Sequence, residues 1–332
     1  MRLTTVVVLS TAALGAVLIG YAHGASAPHA NATPDATVQS AALQSKAVRQ
    51  SKAARRSRTA ACGQSDVFVF AHPDDPLLFM MPALADDIAA GDCVRLVELT
   101  AGDAGLGTGY WEGREQGLRV ALAFIAREPS NWVSRDAGIP GHPASSWKLA
   151  GDPGLSVVFL NLPDGKSDGT GFPVDGNQSL YKLWYGDIPT ITSVDGLATY
   201  TRADLIAAIG QLIRTAHATD VGAQDYDAPF TIVPNHDHYD HIAGALFTDE
   251  AVELYARFVD LVRYQDYSII GLPPNLTTAQ AAQKAGAFSA YLPFDPMVRS
   301  ACDTPADCAK SIFGLEASRE YAASEPKPYP AG

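Results

Sequence analysis

The chain has 332 residues, 47% of them hydrophobic and 18% charged, with a mean hydropathy near zero. That composition excludes a fibre and a wholly disordered chain. The formal net charge of −12 excludes a general nucleic-acid binder, which needs a positive field around phosphates. No internal repeat with a period of roughly 20–50 residues is visible, which argues against solenoids and propellers.

The N-terminus reads as a targeting segment. Met1–Arg2 is followed by an apolar run from Val6 to Ala22 and then by Ala25-Ser26-Ala27, the order of a secretory signal peptide ending near residue 27. The competing reading is an uncleaved membrane anchor, which Ser10, Gly15 and Gly20 weaken. Residues 28–60 are rich in Ala, Ser and Gln and hold a basic cluster from Lys46 to Arg58, so a disordered linker is expected. Seven of the 24 basic residues but only one of the 36 acidic residues precede residue 61. The body, residues 61–332, therefore carries −18 and favours neutral or cationic ligands. Four cysteines follow the leader, and an exported chain with an even count suggests two disulfides. Of the three possible pairings, Cys62–Cys93 with Cys302–Cys308 is expected, because the D-T-P-A-D stretch between the last two can close a small loop.

From Asp66 the pattern alternates strand and helix. Asp66–Ala71 is a short continuous apolar run, the mark of a buried parallel strand. Leu77–Ala90 has helical spacing and stops at Gly91; Val94–Leu99 is the next strand and Trp111–Arg127 the next helix. Ser156–Leu160 reads as a third strand, Arg202–Ala216 as a helix capped by Thr201, Phe230–Val233 as a strand, and Ala243–Val259 as a helix. Residues 131–154 and 164–195, rich in Gly, Pro, Asp and aromatics, read as two long irregular loops. The fold class is α/β, a Rossmann-like three-layer arrangement with a mostly parallel sheet. One domain over residues 61–322 and a short tail at 323–332 are expected.

Two segments carry chemistry. His72-Pro73-Asp74-Asp75 follows the first strand, and Pro234-Asn235-His236-Asp237-His238-Tyr239-Asp240-His241 follows the strand expected to end at Val233. Ligands of open α/β sheets bind outside the carboxyl ends of strands, so both segments fall on one sheet edge and can converge. Histidines with one carboxylate suit a catalytic Zn²⁺, and a neighbouring carboxylate can serve as general base.

The pairing of His72-Pro73-Asp74-Asp75 with His238-x-Asp240-His241 resembles the PIG-L/LmbE-like de-N-acetylases, zinc hydrolases acting on N-acetylated sugars. The likeness runs through much of residues 65–260, including Thr100–Gly105, Gly113-Arg114-Glu115 and Leu162-Pro163-Asp164-Gly165. It implies one zinc per chain, bound by His72, Asp75 and His241, with Asp74 as general base. It also implies His238 facing the oxyanion and Asp240 orienting it, with Arg114 and His236 as substrate contacts. Two positions depart from the family: Pro76 stands where an acidic residue is usual, and His236 where many members have Tyr. The run His236-x-His238-x-Asp240-His241 also matches the H-x-H-x-D-H signature of metallo-β-lactamase-fold hydrolases. That fold needs further histidines downstream, and His241 is the last in this chain.

The expected protein is a secreted zinc-dependent hydrolase that removes an N-acetyl or other N-acyl group from an N-acetylglucosamine-type sugar or glycoconjugate. The alternatives are a non-catalytic carbohydrate-binding protein that keeps the metal site, and a hydrolase of a non-sugar amide. No nucleic-acid partner is expected, nor stable membrane insertion once the leader is cleaved.

Overall fold

The computed structural model describes residues 62–226, 237–301 and 312–323. The leader and linker, His236, the stretch expected to form a strand at 230–233, Cys302 and Cys308, and residues 324–332 of the expected tail lie outside the described residues.

A seven-stranded sheet forms the middle layer. Its strands are β1 (Ser65–Phe70), β2 (Cys93–Thr100), β3 (Trp132–Asp136), β4 (Ser145–Leu149), β5 (Ser156–Leu162), β8 (Asp220–Gln224) and β9 (Asp260–Tyr264). Strands β6 (Ile191–Thr192) and β7 (Thr199–Tyr200) pair separately. The sheet order is β3-β4-β5-β2-β1-β8-β9, parallel from β5 to β9 and antiparallel at β3 and β4. The chain first builds leftward from β1 to β2 and later returns to place β8 on its other side. The switch point therefore lies between β1 and β8, where such sheets open a crevice.

Each face of the sheet has its own core, as the period-two alternation of strands requires. Val67, Val69, Val97 and Leu99 pack with helices α4 (Leu180–Tyr185), α5 (Arg202–Thr215) and α6 (Tyr239–Tyr255). Phe68, Phe70, Val94 and Leu96 face the other way, onto α2 (Ala83–Ala90), α3 (Thr108–Ile125) and α7 (Thr278–Tyr291). Thr201 caps α5 as expected, in a reciprocal capping box with Asp204. Cys62 and Cys93 are disulfide-bonded, with Cα atoms 5.4 Å apart. Among the described residues no helix is long and apolar enough to cross a membrane.

Three expectations are corrected. The single helix over Leu77–Ala90 is two helices, α1 (Asp75–Leu78) and α2, with the buried Phe79, Met80 and Met81 between them. Pro82 has no N–H to donate and disfavours helical backbone at Met81, so the run cannot continue through it. The stretch 131–154 is not irregular: it contains the β3–β4 hairpin, which extends the sheet. A strand also stands at Asp220–Gln224, a segment given no element from the sequence. Its Gly222 has no room for a side chain, since a Cβ there would meet the Phe68 ring at 2.7 Å.

Candidate active site

The carboxyl ends of all five parallel strands contribute. His72, Asp74 and Asp75 follow β1, Gly102 follows β2, Asp164 and Gly165 follow β5, Gln224 ends β8, and Asp266 follows β9. His238 is the N-cap of α6, and Asp240 and His241 lie in its first turn. His72, Asp74, Asp75, Asp240 and His241 are all buried.

Ligand-type atoms of three residues face one another. His72 Nδ1 is 3.0 Å from His241 Nε2, His241 Nε2 is 3.2 Å from Asp75 Oδ1, and His72 Nδ1 is 3.5 Å from Asp75 Oδ2. Four ligands set tetrahedrally about 2.0–2.1 Å from a metal stand about 3.3–3.4 Å apart. The separations between the two ring nitrogens and the Asp75 carboxylate, whose Oδ1 faces His241 and Oδ2 faces His72, are close to that length, and the nitrogen–oxygen donor set suits a divalent metal. His238 also presents a nitrogen within 4.8 Å of ligand atoms on His72 and His241.

Each of these groups is oriented from behind. Asp75 Oδ2 accepts the His72 backbone N–H at 2.7 Å and the Gln224 amide at 3.0 Å, which turns Oδ1 toward His241. His241 Nδ1 pairs with Asp237 Oδ1 at 2.8 Å, fixing the tautomer that leaves Nε2 for a metal. The His241 ring stacks on Tyr267, with centroids 5.3 Å apart, and meets Phe79 edge-on. Asp240 Oδ2 lies 3.4 Å from His72 Nε2 and 3.7 Å from His238 Nδ1, and accepts the Gly165 N–H at 2.6 Å. Asp240 thus stands nearer to His72 than to His238. Gly165 permits that approach, since a Cβ there would meet Asp240 Oδ1 at 2.4 Å.

The electrostatics show the same preference for a cation. Burial opposes charge on His72, but Asp75 and Asp240 outweigh it and raise the imidazole to about 10. Burial likewise opposes charge on His241, and Asp75 and Asp266 push its pKa well up. On Asp75 burial is outweighed by His241 and His72, which hold its carboxyl well below the usual range. The carboxylates around the two rings thus favour a positive charge at this place. His238 behaves differently: burial, then His72 and His241, keep it neutral well below its ordinary value.

Asp74 sits at the N-cap of α1, yet its side chain makes no capping bond. Instead Arg114 Nη2 donates to Asp74 Oδ1 at 2.6 Å. Burial pushes the Asp74 carboxyl up more strongly than Arg114 pulls it down. Arg114, expected to contact substrate, is only 6% exposed and fully engaged. Its Nη1 donates to the Gly102 carbonyl at 2.6 Å, and its Nε lies 2.8 Å from both the Tyr291 hydroxyl and Asp295 Oδ2. The structure makes it a holder of Asp74. Pro76 falls in the first turn of α1, where a missing N–H costs little.

Sequence reasoning assigned no role to Gln224, Asp237, Asp266, Tyr291 or Asp295. Asp237 alone carried a local signal, lying one helical turn before His241.

Several solved structures resemble the chain. The conserved protein TT1542 from Thermus thermophilus is 19% identical, with a TM-score of 0.41, covering 77% of this chain and 84% of its own. The N,N'-diacetylchitobiose deacetylase from Pyrococcus horikoshii is 13% identical, with a TM-score of 0.41, covering 76% and 78%. GalB, the 4-carboxy-2-hydroxymuconate hydratase from Pseudomonas putida, is 14% identical, with a TM-score of 0.40, covering 81% and 99%. No curated protein matches the chain. The sequence itself matches a family across residues 67–252, more than half of its length, from β1 into α6 and through both histidine segments. The protein belongs to that family, PIG-L, the GlcNAc-PI de-N-acetylases.

Proposed function

We propose that this de-N-acetylase is an exported, zinc-dependent hydrolase of N-acetylglucosamine-type sugars or glycoconjugates. The observation that carries the reading is the convergence of His72 Nδ1, His241 Nε2 and the Asp75 carboxylate, whose two oxygens lie 3.2 Å from His241 Nε2 and 3.5 Å from His72 Nδ1. A zinc ion held there would polarise the amide carbonyl and lower the pKa of a water. The remaining work falls to side chains. Asp74, raised by burial, accepts the proton of the attacking water and returns it to the departing amine. His238 Nδ1 accepts the Asp240 backbone N–H at 3.3 Å, which leaves Nε2 as the protonated nitrogen of a neutral ring. That N–H donates to the carbonyl oxygen as negative charge develops on it. Tyr181 packs against Tyr185 and against Tyr239, the residue after His238, and gives the kind of aromatic surface on which a sugar ring packs. Export rests on the N-terminal pattern of charge, apolar run and small residues. The Cys62–Cys93 disulfide fits the same compartment.

The test is acetate release from a panel of N-acetylglucosamine mono-, oligo- and glycoconjugates, with and without chelator. Release that chelator abolishes and zinc restores is expected. Release insensitive to chelator would overturn the metal assignment. Full zinc occupancy with no release from any sugar would overturn the substrate class.

A further inference from the structure

A second group of oxygen donors lies at the other end of the sheet. Asp66 is the second residue of β1, Asp220 opens β8, Asp92 immediately precedes β2, and Asp87 projects from α2. All stand at the amino ends of the parallel strands, whereas the candidate active site occupies the carboxyl ends. Gln64, Asp66, Phe68, Asp87, Asp220 and Tyr264 line a cavity of about 240 Å³ there.

Asp66 makes this more than a patch of surface charge. It is only 6% exposed, it lines the cavity, and its Oδ2 is buried with no hydrogen-bond partner. The groups acting on it are Asp87, Asp92 and Asp220, all negative. Burial and those neighbours raise its carboxyl to about 7. A buried carboxylate oxygen without a partner is costly, and three like charges around it add to the cost. A cation in the cavity would satisfy both.

Carboxylate oxygens of Asp66, Asp87 and Asp92 all lie within 4.8 Å of one another. Calcium–oxygen distances of about 2.3–2.6 Å allow ligands up to about 4.6–5.2 Å apart, so oxygens of all three residues can share one calcium ion. The donors are all oxygen, which suits a hard cation and not the softer ion expected at the histidine site. The site is also held in place. Gln64 N donates to Asp92 Oδ1 at 3.1 Å, and the Cys62–Cys93 disulfide joins the segments that carry those two residues.

We propose that Asp66, Asp87 and Asp92 form a calcium site, separate from the active site, that ties α2 to the amino ends of β1 and β2. Asp220 adds negative charge at its edge, and waters complete the coordination.

The test uses the purified protein loaded with zinc, so that the histidine site is filled. Thermal unfolding is followed at pH 7.5 in rising Ca²⁺, and Tb³⁺ serves as a luminescent probe sensitised by Tyr264. The expected results are a saturable, Ca²⁺-dependent rise in Tm and one equivalent of Tb³⁺ emission displaced by Ca²⁺. In Asp66→Asn the apparent affinity should fall at least tenfold, with acetate release unchanged. That variant removes repulsion while keeping the side-chain shape, so without calcium it should melt no lower than the parent. Absence of any Ca²⁺-dependent Tm rise up to millimolar concentration, or an equal rise in Asp66→Asn, would overturn the proposal.

Discussion

Arg114 Nη2 lies 2.6 Å from Asp74 Oδ1, and both side chains are buried. The contact fixes the carboxylate assigned as general base. Tyr291 in turn donates to Asp295 Oδ2 at 2.7 Å, and both flank Arg114 Nε. Tyr291→Phe removes two hydrogen bonds, one from Arg114 Nε and one to Asp295 Oδ2, without removing a charge, at a cost of about 1–3 kcal/mol in stability. We expect kcat to fall several-fold with KM nearly unchanged. Equal kcat in variant and parent would reduce Tyr291 to a packing residue.

Asp74→Asn should lower kcat by about 10²–10⁴-fold, the usual span for losing a general acid–base, while metal content stays near one equivalent. His241→Ala should lose both metal and turnover. Metal analysis beside steady-state kinetics separates the two roles, and matching metal loss in both variants would reverse the assignment.

Asp237 holds His241 Nδ1 at 2.8 Å. Asp237→Asn should weaken zinc affinity by about 10–100-fold, with activity recovered at high zinc. A competition titration against a chromophoric chelator measures this directly. Unchanged affinity would contradict the orienting role.

The acidic cavity predicts a pH effect opposite to that of most carboxylates. Asp66 is raised to about 7 and Asp87 to about 6, burial being the main cause in both. A carboxyl raised on folding binds more protons in the native state, so its contribution is present at low pH. It is lost as pH climbs from about 4 toward 7. A shift of that size on Asp66 corresponds to about 4 kcal/mol, and solvent entering the cavity screens it to about 1–2 kcal/mol. In calcium-free buffer, Asp66→Asn should therefore be more stable than the parent by that amount at pH 8 and equal to it near pH 4. Denaturant midpoints at the two pH values decide the matter.

Gly165→Ala would push a methyl group into Asp240, which receives the Gly165 N–H. A loss of about 1–3 kcal/mol is expected from the overpacking. Chemical denaturation reads that loss, and a parallel fall in metal affinity would show that Asp240 is displaced from His72.

The parts of this site that were legible in the sequence are those with dense local signals. His72-Pro73-Asp74-Asp75 stands just after an unbroken apolar strand, and His238-x-Asp240-His241 opens a helix, so the strand-end rule brings them together. The resemblance built on them is borne out by the family match over 67–252. Thr201 announced its helix through a short-range capping pattern. The β3–β4 hairpin was missed because β3 is exposed at successive positions, with Ser134, Arg135 and Asp136 where an apolar alternation would mark a strand. The strand Asp220–Gln224 was missed because Gly222, which strand propensity disfavours, is demanded there by Phe68. The Arg114 reading changed for a different reason. Its partners Tyr291 and Asp295 are distant in sequence, and no local pattern ties a tyrosine on α7 to an arginine on α3.

That distance bears on how the protein comes to life. Tyr291 follows Arg114 by 177 residues and lies beyond the family-matched span. During synthesis every predicted metal ligand emerges before the latch behind Asp74 does. A chain ending near residue 252 would lack Tyr291 and Asp295, which flank Arg114 Nε, and also Tyr267, on which the His241 ring stacks. Both the base and the candidate metal group thus draw their final support from the last part of the fold.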